Sequence, residues 1–255
     1  MTTSNPNGSI ITTIENKIAT LEFGHPASNS FPADLLYRLT KELNSLSDNP
    51  QVLVIIIRSS GTGVFCAGAS FEELLAVSNQ EKATTFFSGF ANVLNAMRNC
   101  SKIIVGRIHG KAVGGGVGIA AACDYAFASS ESAIKLSELA IGIGPFVIEP
   151  AISRKTGKGA MSEMALAAHE WKTATWANQK GLYAKMFETT TELDTEISNF
   201  ANKLASYNPE ALFELKKVLW EGTENWETLL YERARISGKL VLSDFSKNAL
   251  KQFKK

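Results

Sequence analysis

Residues 108–124 read IHGKAVGGGVGIAAACD, with three consecutive glycines, Gly114, Gly115 and Gly116, between a β-branched run and an alanine-rich helix start. Glycine lets the backbone turn sharply and lets a ligand approach it closely. At a strand-to-helix junction, unpaired N–H groups and the positive end of the helix dipole point into the turn, which suits a negatively charged oxygen. Gly116, Gly118 and Ala121 also fit the dinucleotide pattern G-x-G-x-x-A. That reading fails because it requires a second strand ending in an acid about 20 residues on, whereas Asp124 comes too early and no such strand follows. A glycine cluster alone equally fits close packing of a helix on a strand, so the neighbouring segments decide.

Residues 63–70 (GVFCAGAS) follow the apolar run 52–57, and residues 135–145 read KLSELAIGIGP. Together with the triple glycine they resemble the crotonase (enoyl-CoA hydratase/isomerase) superfamily. The family's F-[CS]-A-G-A-D reads FCAGAS, its H-G-x-x-x-G-G-G reads HGKAVGGG, and its P-E-x-x-[LI]-G-x-x-P reads SELAIGIGP. The resemblance extends over nearly the whole chain. The opening IITTIENKIATLEFGHPASNSF looks like the family's first hairpin and substrate-side turn, and Ser243, Asp244 and Phe245 with Phe253, Lys254 and Lys255 look like its terminal pattern.

The periodicity alternates short β-branched runs with helical ones, which implies a layered α/β core. Strands are expected at 10–14, 18–23, 52–57, 102–108, 124–128 and 133–135. Leu35, Leu36, Leu39, Leu43 and Leu46 form one helical face, and 86–97 forms another helix. From about residue 194 the chain reads as helix, with Phe200, Leu204, Leu212, Leu215, Val218 and Leu219 as an apolar stripe. The resemblance implies a spiral of βαβ turns over 1–193 and a helical trimerisation region over 194–255. A homotrimer or a dimer of trimers is expected, with Phe245, Leu250 and Phe253 packed on a neighbouring core.

The resemblance also implies chemistry. Enzymes of this type act on acyl-CoA thioesters through an enolate-like state, and backbone N–H groups aimed at the thioester oxygen stabilise that state more than the ground state. By motif position those donors belong to Ala69 and Gly115, and Glu138 is the proton carrier. The acyl-CoA contacts implied are Ala27, Asn29, Cys66, Ala67, Gly68, Gly114, Gly118, Pro145, Phe146, Glu149 and Phe253, with Lys254 and Lys255 reaching the nucleotide from a neighbouring subunit. Coenzyme A enters as part of the substrate, and no separate cofactor or metal is expected.

The departures from the family pattern carry information of their own. Hydratases place a second glutamate two residues after the triple glycine, where this chain has Gly118. Moving a double bond needs one base, so the pattern favours enoyl-CoA isomerisation. Hydration of an enoyl-CoA or methylglutaconyl-CoA, with Glu149 or the substrate supplying the second acid, is the alternative. Decarboxylation or C–C cleavage on the same donors is another, and a non-catalytic acyl-CoA-binding or assembly protein is the reading from a different class. Phe146 stands where some dienoyl-CoA isomerases place aspartate, which disfavours that subtype. Ser70 replaces the aspartate of A-G-A-D.

The 255 residues, 45% of them hydrophobic, suffice to bury one sizeable core. A net charge of +1 gives no basis for attraction to nucleic acid or membrane. The residues after Met1 are polar, and no apolar run reaches the roughly 18 residues of a membrane span, so a cytoplasmic protein of fatty-acid metabolism is expected. Cys66, Cys100 and Cys123 are too scattered for a disulfide framework or a zinc site. His25, His109 and His169 form no triad, the last being read on a helix.

Overall fold

The computed structural model describes residues 6–253, Phe253 by its backbone alone; the expected nucleotide contacts of Lys254 and Lys255 and the acyl-CoA contact of the Phe253 side chain lie outside the described residues. The chain opens on a hairpin, β1 (Ser9–Glu15) and β2 (Ile18–Gly24). Asn16 and Lys17 turn it at φ 51° and 66°, the left-handed pair whose twist matches a two-residue hairpin. The leucine face of α1 (Ala33–Asp48) is buried throughout. β3 (Val54–Ser59) leads through α2 (Phe71–Ala76) to α3 (Gln80–Asn99), which contains the expected helix 86–97. Next come β4 (Ile103–Ile108), the two-residue β5 (Ala112–Val113), α4 (Gly115–Ala122), β6 (Tyr125–Ser129) and β7 (Ala133–Lys135). After α5 (Glu149–Leu166, interrupted at Gly157) lie β8 (Lys172–Thr173), α6 (Ala174–Gln179) and β9 (Lys185–Phe187). Helices α7 (Thr190–Ala205), α8 (Pro209–Leu219), α9 (Trp226–Leu240) and α10 (Asp244–Phe253) close the described chain. His169 falls in a turn after α5 rather than on a helix.

Six strands form one sheet in the order β1-β2-β3-β4-β6-β9, antiparallel only between β1 and β2. Parallel strands are covered on both faces, which accounts for the unbroken apolar run Val54–Ile57. One face carries α1, α3 and α4 over the larger core. On the other, Ile18, Val54, Ile56, Val105 and Phe127 meet Leu193, Ile197 and Ala201 of α7 and Leu212 of α8. The boundary expected at 193/194 therefore falls inside α7, a helix that covers the sheet itself. β5, β7 and β8 form a small second sheet. No helix among the described residues is long and apolar enough to cross a membrane.

The stripe expected along α8 is corrected by a buried charge. Leu212, Lys216 and Trp220 recur four residues apart and turn inward, while Leu215, Val218 and Leu219 are exposed. The Lys216 ammonium donates to the Asp124 carboxylate at 2.6 Å, as does the Trp220 indole N–H at 2.6 Å and the Ile104 N–H at 2.7 Å. Removing one partner of a buried, hydrogen-bonded ion pair leaves the other charge uncompensated and costs about 3–5 kcal/mol. Asp124→Ala is therefore expected to lower the unfolding free energy by that amount, read from urea titration as a fall in the midpoint, and an unchanged midpoint refutes the hub's role.

The tail corrects a second expectation. Leu250 is buried in this chain's own core, and α10 lies against α2 and the short 3-10 turn Leu139–Ile141. Phe245 is 67% exposed, its ring edge passing over Gly142.

Candidate active site

Three chain crossings meet above the C-terminal ends of the strands. The Cys66 N–H donates to Lys111 O at 3.1 Å and the Val113 N–H to Cys66 O at 2.9 Å, fastening the loop after β3 alongside β5. The Gly114 N–H donates to Lys135 O at 2.9 Å, which fastens β5 to the end of β7. These bonds place residues 67–69, Gly114 and Gly115, and Glu138 around one cavity of about 210 Å³.

Two glycines shape its polar side. Gly68 has φ 86° and Gly114 has φ 50° with ψ −116°, conformations that L side chains rarely adopt. Each precedes a residue whose N–H is left free for the cavity. The Phe31 N–H donates to Gly68 O and the Ser70 N–H to Phe31 O, so Ala69 is held from both sides while its own N–H has no acceptor among the described residues. Gly115 is the first residue of α4, and its N–H also has no acceptor there; a first-turn N–H is unused by the helix and carries the positive end of its dipole. A negatively charged oxygen between them would gain two short hydrogen bonds in a site lined mostly by apolar side chains.

Glu138 ends the loop from β7 and begins the turn Leu139–Ile141. Its carboxylate packs beside Gly114, where the Cβ of any larger residue would stand 2.6 Å from Oε1. Oε2 is out of contact with solvent and has no hydrogen-bond partner among the described residues. Burial pushes the carboxyl up to about 7, opposed by a hydrogen bond from its own N–H. A carboxyl that titrates near neutrality both takes and returns protons.

The other walls are apolar: Phe71 and Leu74 of α2, Phe87 and Phe90 of α3, Ile143 and Ile148 after the Glu138 turn. Phe90 stands edge-on to Phe31 and Phe86 and rests against Gly115, which leaves no room for a side chain there. Ser137, at the motif's proline position, and Ser237 of α9 add hydroxyls to the lining.

Of the residues expected from sequence, Ala67, Gly68, Ala69, Gly114, Gly115, Glu138, Pro145 and Phe146 line this cavity. Five others do not. The Asn29 amide donates to Ser60 O and Val64 O at 3.0 and 2.9 Å, so it pins the 25–30 turn to the next loop. Ala27 is exposed on that turn. Cys66 is fully buried, and burial pushes its thiol up to about 12, which keeps it protonated. The space beside Gly118, where a second glutamate would project, is filled by Ile148, whose Cγ2 would lie 2.5 Å from the Cβ of any larger residue at 118. Glu149 is corrected outright: it accepts hydrogen bonds from Ser153, Lys158 and Arg233. Burial pushes its carboxyl up, but these three donors outweigh that and hold it at about 2.

Sequence reasoning found Phe146 but missed Phe71, Phe87 and Phe90 and both serines. Phe87 and Phe90 are three apart on α3 and carry the same signal as any core-facing helix; Ser137 was visible as a break in the proline position. His109 is buried, and burial with the Arg107 and Arg58 charges pulls it down to about 4, so it stays neutral and outside the site. No group of metal-ligating side chains occurs among the described residues.

A family model described as enoyl-CoA hydratase/isomerase matches residues 13–254. A peroxisomal Delta(3,5)-Delta(2,4)-dienoyl-CoA isomerase of Arabidopsis thaliana is 28% identical over 211 residues, 77% of this chain and 74% of that protein. A short-chain-enoyl-CoA hydratase of Clostridium acetobutylicum is 27% identical over 242 residues, 94% of this chain and 92% of the relative. The crystal structure of an enoyl-CoA hydratase from Bacillus halodurans superposes with a TM-score of 0.88 at 20% identity, covering 95% of this chain and 99% of that one. That likeness carries the fold.

Proposed function

The chain belongs to the enoyl-CoA hydratase/isomerase family, and from that premise we propose that it moves the double bond of an enoyl-CoA thioester. In a 3-enoyl-CoA, Glu138 removes a proton from C2, the electron pair delocalises into the thioester carbonyl and the C3–C4 double bond, and the oxygen becomes negative between the Ala69 and Gly115 N–H groups. Glu138 then returns the proton to C4, leaving the double bond between C2 and C3. One carboxyl serves both steps, and no separate cofactor is needed.

The observation that carries this reading is the pairing of Gly118 with Ile148. A methyl group occupies the place from which a second carboxylate would hold water. Glu149 cannot be recruited without breaking three hydrogen bonds. Isomerisation of a 3-enoyl-CoA is therefore expected to outpace hydration of the 2-enoyl-CoA, measured by absorbance and product analysis on matched six-carbon thioesters. Faster hydration refutes the assignment. A 3,5-dienoyl-CoA belongs in the same assay because of the Arabidopsis relative's name, and binding of all three thioesters without turnover is the result expected of a non-catalytic binding protein.

The activity must also follow the Glu138 carboxyl. The base is the ionised form, and burial raises its titration to about 7. Below that pH kcat/KM is expected to fall about tenfold per unit as protonation removes the base, and a profile still flat at pH 5 contradicts Glu138 as the proton carrier.

Within the same proposal the protein acts in the cytoplasm as a homotrimer or a dimer of trimers. The outward Leu215, Val218 and Leu219 of α8 support the assembly, and light scattering on the purified chain tests it.

A further inference from the structure

Among the described residues that line the cavity, Glu138 is the single ionisable side chain; no lysine, arginine or histidine joins it. A cation nevertheless stands just behind the wall. Arg233 of α9 lies one helical turn before the lining residue Ser237, and its guanidinium donates to the carbonyl oxygen of the lining residue Phe146 at 3.2 Å. That same nitrogen also donates to Glu149 Oε2. The other Glu149 oxygen accepts from Ser153 and Lys158. The Glu149 side chain is 17% exposed and that of Arg233 25%, so the pair is largely desolvated and the arginine is neutralised where it stands.

We propose that the cavity selects uncharged, apolar acyl groups, and that Glu149 enforces the selection by holding Arg233 behind the wall. This rests on the acyl-CoA reading above. An acyl tail ending in a carboxylate would leave water for a pocket walled by Phe71, Leu74, Phe87 and Ile148. It would find no free cation there and would lie in the same low-dielectric space as Glu138. An ionised group in such a place keeps its desolvation penalty with nothing to offset it. Glu149 thus occupies, from within the chain, the position toward Arg233 that a dicarboxylic substrate would need. Glu149 contacts no substrate in this scheme and acts only through Arg233.

Titration calorimetry on hexanoyl-CoA and adipyl-CoA tests the proposal on the native protein. Both thioesters are saturated and have six-carbon acyl groups, and they differ by the terminal carboxylate alone, so binding is read without turnover. Adipyl-CoA is expected to bind about 10²-fold more weakly, the ratio that corresponds to leaving one buried polar group unpaired. Equal affinities overturn the proposal. Glu149→Gln removes the charge that holds Arg233 and is expected to shrink the ratio to about tenfold or less, a gain for adipyl-CoA that a purely structural role would not produce; an unchanged ratio overturns the role of Glu149. Lys158→Met, which removes an ammonium from a side chain that is 78% exposed, is expected to leave the ratio at its native value. If Glu149→Gln does not fold, the double variant Glu149→Gln with Arg233→Met serves, because it removes both charges of the pair: the ratio is expected to stay near its native value, and a ratio shrunk to about tenfold or less shows that Arg233 is not the group Glu149 withholds and overturns the proposal. Failure of both thioesters to bind better than coenzyme A removes the acyl site and the proposed function with it. The expected ratio without turnover of 3-enoyl-CoA refutes the reaction and leaves the selectivity standing.

Discussion

Replacing Glu138 by glutamine is expected to lower kcat by about 10²- to 10⁴-fold, the range for removing a positioned general base, while KM for the thioester changes little. The substitution keeps the shape of the side chain beside Gly114 and removes its ability to take a proton. Because Oε2 has no partner among the described residues, the amide breaks no existing bond at that atom, and the lesion is confined to chemistry. A binding site unaffected by a thousandfold loss of turnover is what separates proton transfer from substrate positioning. Steady-state kinetics on the preferred 3-enoyl-CoA decides it; a variant with near-normal kcat shows that another group moves the proton.

The second large effect is expected from Gly114→Ala. Backbone at φ 50° and ψ −116° is strained for any L side chain, and the new methyl would meet Glu138 Oε1 at 2.6 Å. Either the peptide between residues 114 and 115 rotates, turning the Gly115 N–H away from the thioester oxygen, or the carboxylate is displaced. Loss of one such donor lowers kcat by about 10²- to 10³-fold. The two causes separate by pH. A rotated peptide leaves the profile centred near 7, whereas a displaced Glu138 meets water and its limb moves toward ordinary carboxylate values. A variant with full activity refutes the role assigned to this peptide.

Much of this was legible in the sequence because the decisive steps are backbone steps. Glycine at 68 and 114 announces turns that few other residues make; the alternation at 18–23 announces a strand with one well-buried face, and the apolar run at 52–57 announces a strand covered on both faces. The leucines of α1 repeat at helical spacing because one side of that helix meets the sheet. What stayed hidden depends on partners distant in the chain. Glu149 reads as a helix-capping or pocket carboxylate until α9 brings Arg233 against it. Gly118 reads as a vacancy until Ile148, thirty residues later, fills it. Lys216 interrupts an apparently apolar stripe because its partner lies on a different element, and a period of 3.6 residues carries no information about that. β5 and β8 are two residues long, below what alternation can signal.

The Asp124 hub also sets an order of events during synthesis. The carboxylate is buried by β4 and β6, but its ammonium and indole partners, Lys216 and Trp220, leave the ribosome some 90 residues after it. A nascent chain that ends before residue 216 has the strands of the sheet, and Lys155 to hold the Asp124 carbonyl oxygen at 2.8 Å, but neither of the two side chains that hydrogen-bond the Asp124 carboxylate, so the contacts that complete this packing are missing. Synthesis of the chain from Lys216 onward is therefore the step that completes the packing of the first half. Pausing downstream of residue 220, or cleavage upstream of residue 216, separates a chain that closes promptly from one left open to proteases and chaperones.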